Sequence, residues 1–379
     1  AYTCGNITDA IYCTDALEDT ATGLTIGNTY YIQVYSHVAN ANTTFDICVS
    51  TNEIPGQTYV PDDNFEQALI DLGYDITLDD YVTTTNISGI QNVNISSENI
   101  SDLTGIEDFT ALQNLNASGN QLTSIDVTQN TALTLLNLDN NSISEIDLTQ
   151  NIALESVYFH NNSLITVDIT QNTMLFSASF QANQLTTIDV SQNIALQSLY
   201  LAQNLQLSTL DISTNTNLIV LDLNFTQISN LQVSNNSNLD TLILSNSPLT
   251  NIDVSDNLAL RVLNLNGAPI QQVDVSNNTA LERLFVNGCS NLTGTNIQNG
   301  NNTNINTFHA LNTPNLACVQ VDDVAYSTAN WTVVDAGTNF STDCGFLEND
   351  ECVNAINIPI SDGTCNNVIS ATMVNATNS

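Results

Sequence analysis

Hydrophobic residues recur every 21 positions through the middle of the chain. Each repeat contains two short stretches in which apolar and polar residues alternate, as in LTLLNLDNN and SISEIDLTQN, the two halves of the unit that begins at Leu133. Alternation with a period of two predicts β-strands. A fixed period of this length predicts a solenoid, because each unit buries its apolar side chains only against its neighbours. The marker leucines are Leu112, Leu133, Leu154, Leu175, Leu196, Leu218, Leu239, Leu260 and Leu281, with a single extra residue after Asn204.

Each coil is predicted to supply a strand to each of two parallel sheets, one on either side of a flat core. In the unit above, Leu136 and Leu138 point inward and Asn137 points outward, and Asp147 points outward in the second half. Both halves end in asparagine, which when buried can satisfy backbone groups of its own coil and of the next. The first asparagine column is Asn120, Asn141, Asn162, Asn183 and Asn204, which gives way to Thr226, Ser247, Ala268 and Cys289; the second is Asn130, Asn151, Asn172, Asn193, Asn215, Asn236, Asn257 and Asn278.

Shorter segments of different character flank the repeats. The helix signal PDDNFEQALIDLG, which begins at Pro61 and Asp62 and stops at Gly73, predicts a cap over the open apolar end of the solenoid. The two ends resemble halves of β-sandwich modules, so we expect the chain to be part of a longer multidomain protein. The predicted domains are the C-terminal part of a β-sandwich module (1–52), a linker (53–58), an N-terminal helical cap (59–89), the solenoid (90–311), a disulfide-containing C-terminal cap (312–345) and the start of a second β-sandwich module (346–379).

The eight cysteines indicate an oxidising compartment, because seven of them lie outside the regular repeats or in their caps. Cys289 occupies a position where other repeats place asparagine or a small residue, so we expect a buried free thiol there. Cys48 is left without an assigned partner. The local pairs favoured by spacing are Cys4 with Cys13, Cys318 with Cys344, and Cys352 with Cys365.

Charge excludes several classes of partner. The chain has 39 acidic residues and two basic ones, Arg261 and Arg283, for a net charge of −37. Nucleic acids and anionic membranes are bound through clustered lysine and arginine, so we expect neither as a partner. No apolar run approaches the roughly 18 residues of a membrane span, so direct insertion is not expected. The acidic excess favours solubility outside the cell, and a second interpretation is attraction of divalent cations.

The outward residues of the first strand are the predicted ligand-binding face, because solenoids bind through variable side chains displayed on a rigid sheet. Tyr158, His160 and Tyr200 fall within about three coils and could stack on a sugar or a peptide. Arg283 and Phe285 form a second candidate cluster. The polar remainder of the face favours carbohydrate or a loosely held partner. The alternative is an ordinary sheet surface with scattered aromatic residues.

A column of aspartates marks the second half of consecutive coils. Hard cations such as calcium bind carboxylate oxygens, but a single row lacks the roughly six to eight ligands of a closed site, so any binding is expected to be weak. The alternative is that each aspartate bonds to local backbone ahead of the turn. The acidic pairs of the caps, such as Asp62 with Asp63 and Asp79 with Asp80, are further calcium candidates. The column comprises Asp126, Asp147, Asp168, Asp189 and Asp211.

Catalysis finds little support in the residues. The three histidines are His37, His160 and His309, and the last two lie about seven coils apart, roughly 34 Å at the strand spacing. Metal-binding Cys/His spacings, phosphate loops and nucleophile elbows are not found in the sequence. We therefore predict a non-enzymatic protein that needs no cofactor other than, in the calcium interpretation, calcium.

The repeat LxxLxLxxNxLxxIDVSxNxx resembles the 21-residue bacterial class of leucine-rich repeats. The segment YVPDDNFEQALIDLGYD resembles the N-terminal cap of secreted leucine-rich repeat proteins of the Bacteroidota, and NLACVQVDDVAYSTANWTVVDAGTNFSTDCG resembles their C-terminal cap. NDECVNAI and GLTIGNTYYIQVYS are similar to the two ends of a β-sandwich module of large flavobacterial surface proteins exported by type IX secretion. The resemblance implies a secreted or cell-surface protein of the adhesin kind, without catalytic residues.

These expectations combine into one functional prediction and one alternative. The prediction is an extracellular adhesion segment of a large bacterial surface protein, which recognises a glycan or a protein on another surface through the first-strand face. O-linked sugar on threonine is expected as a modification. The alternative is a structural spacer or filament subunit, in which the partners are further copies or modules of the same protein.

Overall fold

A computed structural model of the protein describes residues 54–345. At the N-terminus, β1 (Gln57–Tyr59) and β2 (Tyr81–Thr83) pair antiparallel, and α1 (Asp63–Asp71) and α2 (Thr84–Ile87) complete the cap. The predicted linker 53–58 therefore ends inside this cap. Thr58 is buried there, and its hydroxyl donates a hydrogen bond to the Asp108 carboxylate, which ties the segment to the first coils.

The predicted helical cap is confirmed. The Asp62 carboxylate accepts hydrogen bonds from the backbone N–H groups of Asn64 and Phe65, both at 3.0 Å, and so satisfies donors that the first turn of α1 leaves free. Phe65 and Leu69 are fully buried against the end of the solenoid. The helix stops before Gly73, whose φ of +81° lies in the left-handed region that favours glycine. The cap thus covers apolar surface that would otherwise face water.

The largest sheet has twelve parallel strands, and neighbouring strands pair in sequence register along the solenoid. The marker leucines from Leu112 to Leu281 are all fully buried beneath it. Burying a leucine side chain contributes about 1.5–3 kcal/mol, so the repeated core is the main source of stability. The strands are β3 (Asn92–Asn94), β4 (Asn114–Asn116), β5 (Leu135–Asn137), β6 (Ser156–Tyr158), β7 (Ser177–Ser179), β8 (Ser198–Tyr200), β9 (Val220–Asp222), β10 (Thr241–Ile243), β11 (Val262–Asn264), β13 (Arg283–Phe285), β15 (Thr307–Ala310) and β17 (Val333–Val334).

A second sheet forms on the other side of the coils, but only towards the C-terminus. It has four parallel strands, β12 (Gln272–Asp274), β14 (Gly294–Asn296), β16 (Cys318–Gln320) and β18 (Asn339–Ser341). The parallel solenoid is therefore confirmed. The sequence predicted a second strand in every coil, but the structure has one only in the last coils. In the earlier coils no strand is assigned on this side, and side chains there bond to backbone groups. Asn151 Nδ2, for example, donates to Val127 O at 2.9 Å, and the Asp126 carboxylate accepts the N–H of Thr128.

Both asparagine columns have the predicted architectural role. In the first, Asn162 Nδ2 donates to Leu138 O at 2.9 Å in the preceding coil, and its Oδ1 accepts the N–H of Ile143 at 3.0 Å. Where the column changes, Cys289 keeps one of these bonds, from Sγ to Leu265 O at 3.1 Å. This cysteine is buried and unpaired, as expected, and burial raises the pKa of its thiol to about 11.

The C-terminal cap continues both sheets through β16, β17 and β18 and adds α3 (Val324–Asn330). Trp331 is buried, and its Nε1 donates to Ile305 O at 3.0 Å. The predicted Cys318–Cys344 disulfide closes this cap. No helix among residues 54–345 is long and apolar enough to cross a membrane. The predicted pairs Cys4–Cys13 and Cys352–Cys365, Cys48, and the sandwich modules 1–52 and 346–379 lie outside the described residues.

Candidate binding face

Two tyrosines frame a small residue at the centre of the twelve-stranded sheet. The register aligns Tyr158 of β6 with Ser179 of β7, and Ser179 with Tyr200 of β8. The two tyrosine backbones are therefore two strand spacings apart, about 9.5 Å. Ser179 is buried between them although it points outward, and both rings are partly exposed. The structure thus brings two of the predicted residues together; we call the outward surface of β6, β7 and β8 the tyrosine face.

The floor of the tyrosine face consists of small residues. Ser156, Ser177 and Ser179 are each less than a tenth exposed, and so is Ala202 in the adjoining column. These small side chains form a strip beside the two tyrosines, and we call this strip the trough. The strip carries serine hydroxyl groups, and the aromatic rings of Tyr158 and Tyr200 border it.

A histidine and a carboxylate lie beside the trough. The backbone N–H of His160 donates to Asp139 Oδ1 at 2.6 Å, and burial raises the pKa of the Asp139 carboxyl. His160 Nδ1 is buried and has no hydrogen-bond partner among the described residues. Because this nitrogen is closed off from solvent, it is not accessible to a ligand on the surface, and its missing partner is a local cost of the fold. His160 follows β6 directly and so lies next to the tyrosine face, and its role in binding stays a prediction.

On the far side of the trough, Gln181 Nε2 donates to Asp222 Oδ2 at 3.3 Å across the intervening strand. Burial raises the pKa of the Asp222 carboxyl as well. Asp139 and Asp222 thus place partly desolvated carboxylates at the two borders of the tyrosine face. Such groups accept hydrogen bonds from hydroxyl donors and repel anions.

The second predicted cluster is separate from the first. Arg283 and Phe285 lie on β13, four strands from β8, which is about 19 Å. The Phe285 ring packs edge-on against His309, with ring centroids 5.3 Å apart. The other arginine, Arg261, forms ion pairs with Asp240 and Glu282. Arg283 has no ion pair within the described range.

The aspartates of the column form hydrogen bonds within their own turns. Each Oδ1 accepts the backbone N–H of the residue two positions later, as from Thr170 to Asp168 at 2.9 Å. Hydrogen bonds from the hydroxyl and the backbone N–H of the same residue lower the pKa of Asp147 and Asp211, and the N–H followed by the hydroxyl does so for Asp168 and Asp189. One oxygen of each carboxylate is thereby engaged, which favours the architectural interpretation. Calcium binding by Asp126, Asp147, Asp168, Asp189 and Asp211 stays a prediction.

The N-terminal cap gathers three carboxylates, those of Asp63, Glu66 and Asp80, with oxygens within 4.8 Å of one another. Glu66 is fully buried, and it accepts the backbone N–H groups of Asp79, Asp80 and Tyr81 at 2.8–3.2 Å. These three donors satisfy both oxygens of the buried carboxyl group and hold the loop before β2. The arrangement is explained by the cap's own backbone.

One column of residues departs from the repeat in a way that the sequence analysis missed. Directly after each strand the chain passes through the left-handed region, and most coils place asparagine or glycine there, as at Asn161 and Gly267. Three consecutive coils instead have Ala182, Gln203 and Phe225, at φ of +52°, +61° and +55°. The left-handed conformation costs such residues about 1–2 kcal/mol each. In the sequence, only the extra residue after Asn204 indicates that the repeat is irregular in this stretch.

Exposed apolar side chains concentrate in the same coils. Eight of the eleven large hydrophobic residues exposed between residues 90 and 345 lie between Ile152 and Phe225. Phe176 and Ile219 flank the start of the strands there, and Leu205 and Phe225 flank their end. Of these residues, Leu205 and Phe225 lie together, beyond the strand ends. The periodic pattern did not predict these exposed residues, because they lie between the buried positions that recur every 21 residues.

The described histidines do not form a catalytic pair. His160 and His309 follow or lie in strands seven positions apart in the sheet, about 34 Å. His37 lies outside the described residues. No nucleophile–base pair lies at hydrogen-bonding distance among the described residues of the tyrosine face.

Solved structures resemble the described solenoid. The functional domain of InlJ from Listeria monocytogenes, which includes a cysteine ladder, is 24% identical, with a TM-score of 0.62 over 76% of this chain and 73% of that one. Internalin C2 from Listeria monocytogenes is 18% identical, with a TM-score of 0.50 over 56% of this chain and 99% of that one. At these identities the likeness establishes the fold alone.

Sequence comparison adds no closer relationship: no protein-family model and no curated protein matches the chain. The fold therefore rests on the register of the twelve-stranded sheet and on the similarity to the internalins. The described residues form a leucine-rich repeat solenoid.

Proposed function

We propose that the solenoid is a non-enzymatic adhesion segment of an extracellular bacterial surface protein, and that it binds its ligand on the tyrosine face. The observation that carries the proposal is the alignment of Tyr158 and Tyr200 on either side of the buried Ser179. Rigid strands hold both rings, so a ligand that lies between them orders few side chains and binding loses little entropy.

The lining of the trough favours a glycan over a hydrophobic protein surface. Aromatic rings pack against the apolar faces of sugars, while the Ser177 and Ser179 hydroxyls, Gln181 and His160 can exchange hydrogen bonds with sugar hydroxyls. The raised pKa values of Asp139 and Asp222 reflect partly buried carboxylates at its borders, which oppose an anionic ligand. The preferred ligand is therefore an uncharged glycan; a polar protein surface is the other candidate.

The cellular setting is also part of the proposal. The net charge of −37, the Cys318–Cys344 disulfide and the resemblance of both caps to secreted Bacteroidota proteins support a secreted or cell-surface location. In this proposal the chain is a segment of a larger protein exported by type IX secretion, with sandwich modules on both sides of the solenoid.

Binding of the full chain to a glycan array and to whole cells tests the proposal. The chain has no lysine, so a fluorophore attached to its N-terminal amine leaves the tyrosine face unmodified. We expect Tyr158→Ala and Tyr200→Ala to weaken binding at least tenfold each, since buried aromatic contacts dominate binding energies. Tyr158→Phe and Tyr200→Phe keep the rings and retain most of the affinity.

The control for the second cluster is the double variant Arg283→Ala with Phe285→Ala, about 19 Å away. It is expected to bind as the unaltered chain does. If this variant loses binding and the tyrosine variants do not, the site lies on β13 instead. If the chain binds neither glycans nor cells and associates end to end in electron micrographs, the structural spacer is the correct function.

A further inference from the structure

Two exposed apolar side chains lie just beyond the C-terminal ends of the strands that form the tyrosine face, where glycan binding does not require them. Leu205 is 58% exposed and Phe225 is 43% exposed, on adjacent coils. Together with Ala182 and Gln203 they line one shallow pocket, which lies beyond the strand ends. We call these four residues the edge pocket.

The edge pocket coincides with both irregularities of the repeat. Ala182, Gln203 and Phe225 are the three consecutive residues that occupy the left-handed column without being asparagine or glycine. Strained backbone of this kind clusters at functional sites, where the surrounding structure holds it in place. Phe225 is also held in place, because its N–H donates to Ser245 O at 2.9 Å in the next coil.

The fourth lining residue comes from the insertion. One residue separates Asn183 from the buried Leu185, whereas Leu205 and Gln206 both fit between Asn204 and Leu207. The flanking ladder is intact, since Asn204 Oδ1 accepts the N–H of Leu185 at 2.9 Å and Leu207 N–H donates to Asn204 O at 3.0 Å. The extra residue therefore bulges outward and places Leu205 beside Phe225 without disturbing the core.

We propose that the edge pocket is an anchor site for a basic protein segment, which inserts an aromatic or aliphatic side chain between Leu205 and Phe225. The pocket lining is mainly apolar, so it selects an apolar side chain over a sugar. The chain's charge of −37 attracts partners that carry lysine and arginine around that side chain. The same charge opposes an anionic membrane and a second copy of this chain.

Titration of the full chain with short synthetic peptides tests the anchor. The probe is the acetylated, amidated pentapeptide Lys-Arg-Trp-Arg-Lys, and its two controls replace the tryptophan with glycine or all four basic residues with glutamate. We expect the probe to bind at low salt, with both controls at least tenfold weaker. Binding of the probe weakens as salt is added, because the attraction is electrostatic at long range.

Two variants separate binding from folding. Phe225→Asn restores the residue type that neighbouring coils use, so it should raise Tm by about 2–4 °C while probe affinity falls at least tenfold. Deletion of Leu205 restores the 21-residue period and should also abolish binding. Leu258→Asn removes a side chain that is 59% exposed but distant from the pocket, and it should leave probe binding unchanged.

Several outcomes overturn the proposal. These are equal binding of the probe to the unaltered chain and to Phe225→Asn, no binding of the probe at all, or equal binding of the glutamate control. Sedimentation of the chain alone tests whether a second copy of the chain occupies the edge pocket instead. A dimer that dissociates in Phe225→Asn would assign the pocket to a second copy of the chain and would also overturn the proposal.

Discussion

Asn172 offers the most quantitative test of how the coils are held together. Its side chain is fully buried, and Nδ2 donates to Leu148 O at 3.0 Å and to Asn151 O at 2.9 Å in the preceding coil. Its Oδ1 has no hydrogen-bond partner among the described residues. The contribution of this residue to the free energy of unfolding therefore comes from its two donated bonds.

The loss of unfolding free energy depends on whether the two carbonyl groups keep another donor when the Asn172 side chain is removed. Leu148 O also accepts the N–H of Asn151, and Asn151 O also accepts the N–H of Leu154, both at 3.1 Å. Neither carbonyl is left without a donor, so Asn172→Ala should lose about 1 kcal/mol per bond plus a small cavity term, about 2–3 kcal/mol in all. Asn172→Asp keeps the shape but points a carboxylate at two carbonyl oxygens, and it should cost about 4 kcal/mol or more.

Urea unfolding followed by far-ultraviolet circular dichroism measures both values at neutral pH. Gln171→Ala is the matched control, because Gln171 is the exposed neighbour and should change the free energy by less than about 0.5 kcal/mol. Acid should relieve the defect of Asn172→Asp, since the protonated carboxyl regains one donor. The reasoning is refuted if Asn172→Ala unfolds like the control, or if the aspartate variant is no less stable than the alanine variant.

Three further perturbations probe separate parts of the molecule. Burial raises the pKa of Asp222 above its ordinary 3.8, so ionisation opposes folding at neutral pH; Asp222→Asn should raise Tm at pH 7 and leave it unchanged at pH 3, where both side chains are neutral. Millimolar calcium should raise Tm if the aspartate column binds it, and the triple variant Asp147→Asn, Asp168→Asn, Asp189→Asn should remove the shift; an unchanged Tm in the unaltered chain ends the calcium prediction. Cys318→Ser opens a loop of sequence separation 26 and should destabilise the C-terminal cap by about 3.5 kcal/mol, seen as earlier exposure of Trp331 in fluorescence-monitored unfolding; coincident unfolding curves would contradict this.

Much of the fold follows from the repeat itself. A buried leucine such as Leu133 recurs at a fixed phase, so the sequence alone predicts the coil, the parallel sheet and the asparagine columns. The cap at Asp62 is equally local, because a capping carboxylate, an apolar face and a terminal glycine are written in consecutive residues. The coil, the parallel first sheet and the N-terminal cap were predicted correctly.

The second sheet was harder to predict. Ile146 and Leu148 alternate with Asp147 as strand residues do, yet no strand is assigned there, and Ile146 stays partly exposed. Side-chain bonds to the backbone do not separate the two regions, since Asp274 of β12 accepts the N–H of Ser276 just as Asp147 accepts that of Thr149. Alternation shows which residues face inward, and it does not show whether neighbouring backbones come close enough to pair.

The binding surface was predicted in part. Alternation placed Tyr158 and Tyr200 on the same face, and the structure adds the buried Ser179 between them. Leu205 and Phe225 were missed, because their significance depends on a left-handed φ and on a bulge, which are properties of the folded backbone. The extra residue after Asn204 indicated where the repeat is irregular, but it did not indicate that apolar side chains are exposed there.

Hydroxyl-radical footprinting tests the central claim most directly, because it measures side-chain accessibility residue by residue. The full chain is oxidised with and without the glycan or cell-surface fragment that it binds best, and modification is read by mass spectrometry. We predict that ligand protects Tyr158, Tyr200 and Phe176, whereas Phe285 on β13 and Tyr326 in the C-terminal cap react as before. Protection confined to Phe285, or no change at either tyrosine of the trough, would contradict a binding site on the tyrosine face.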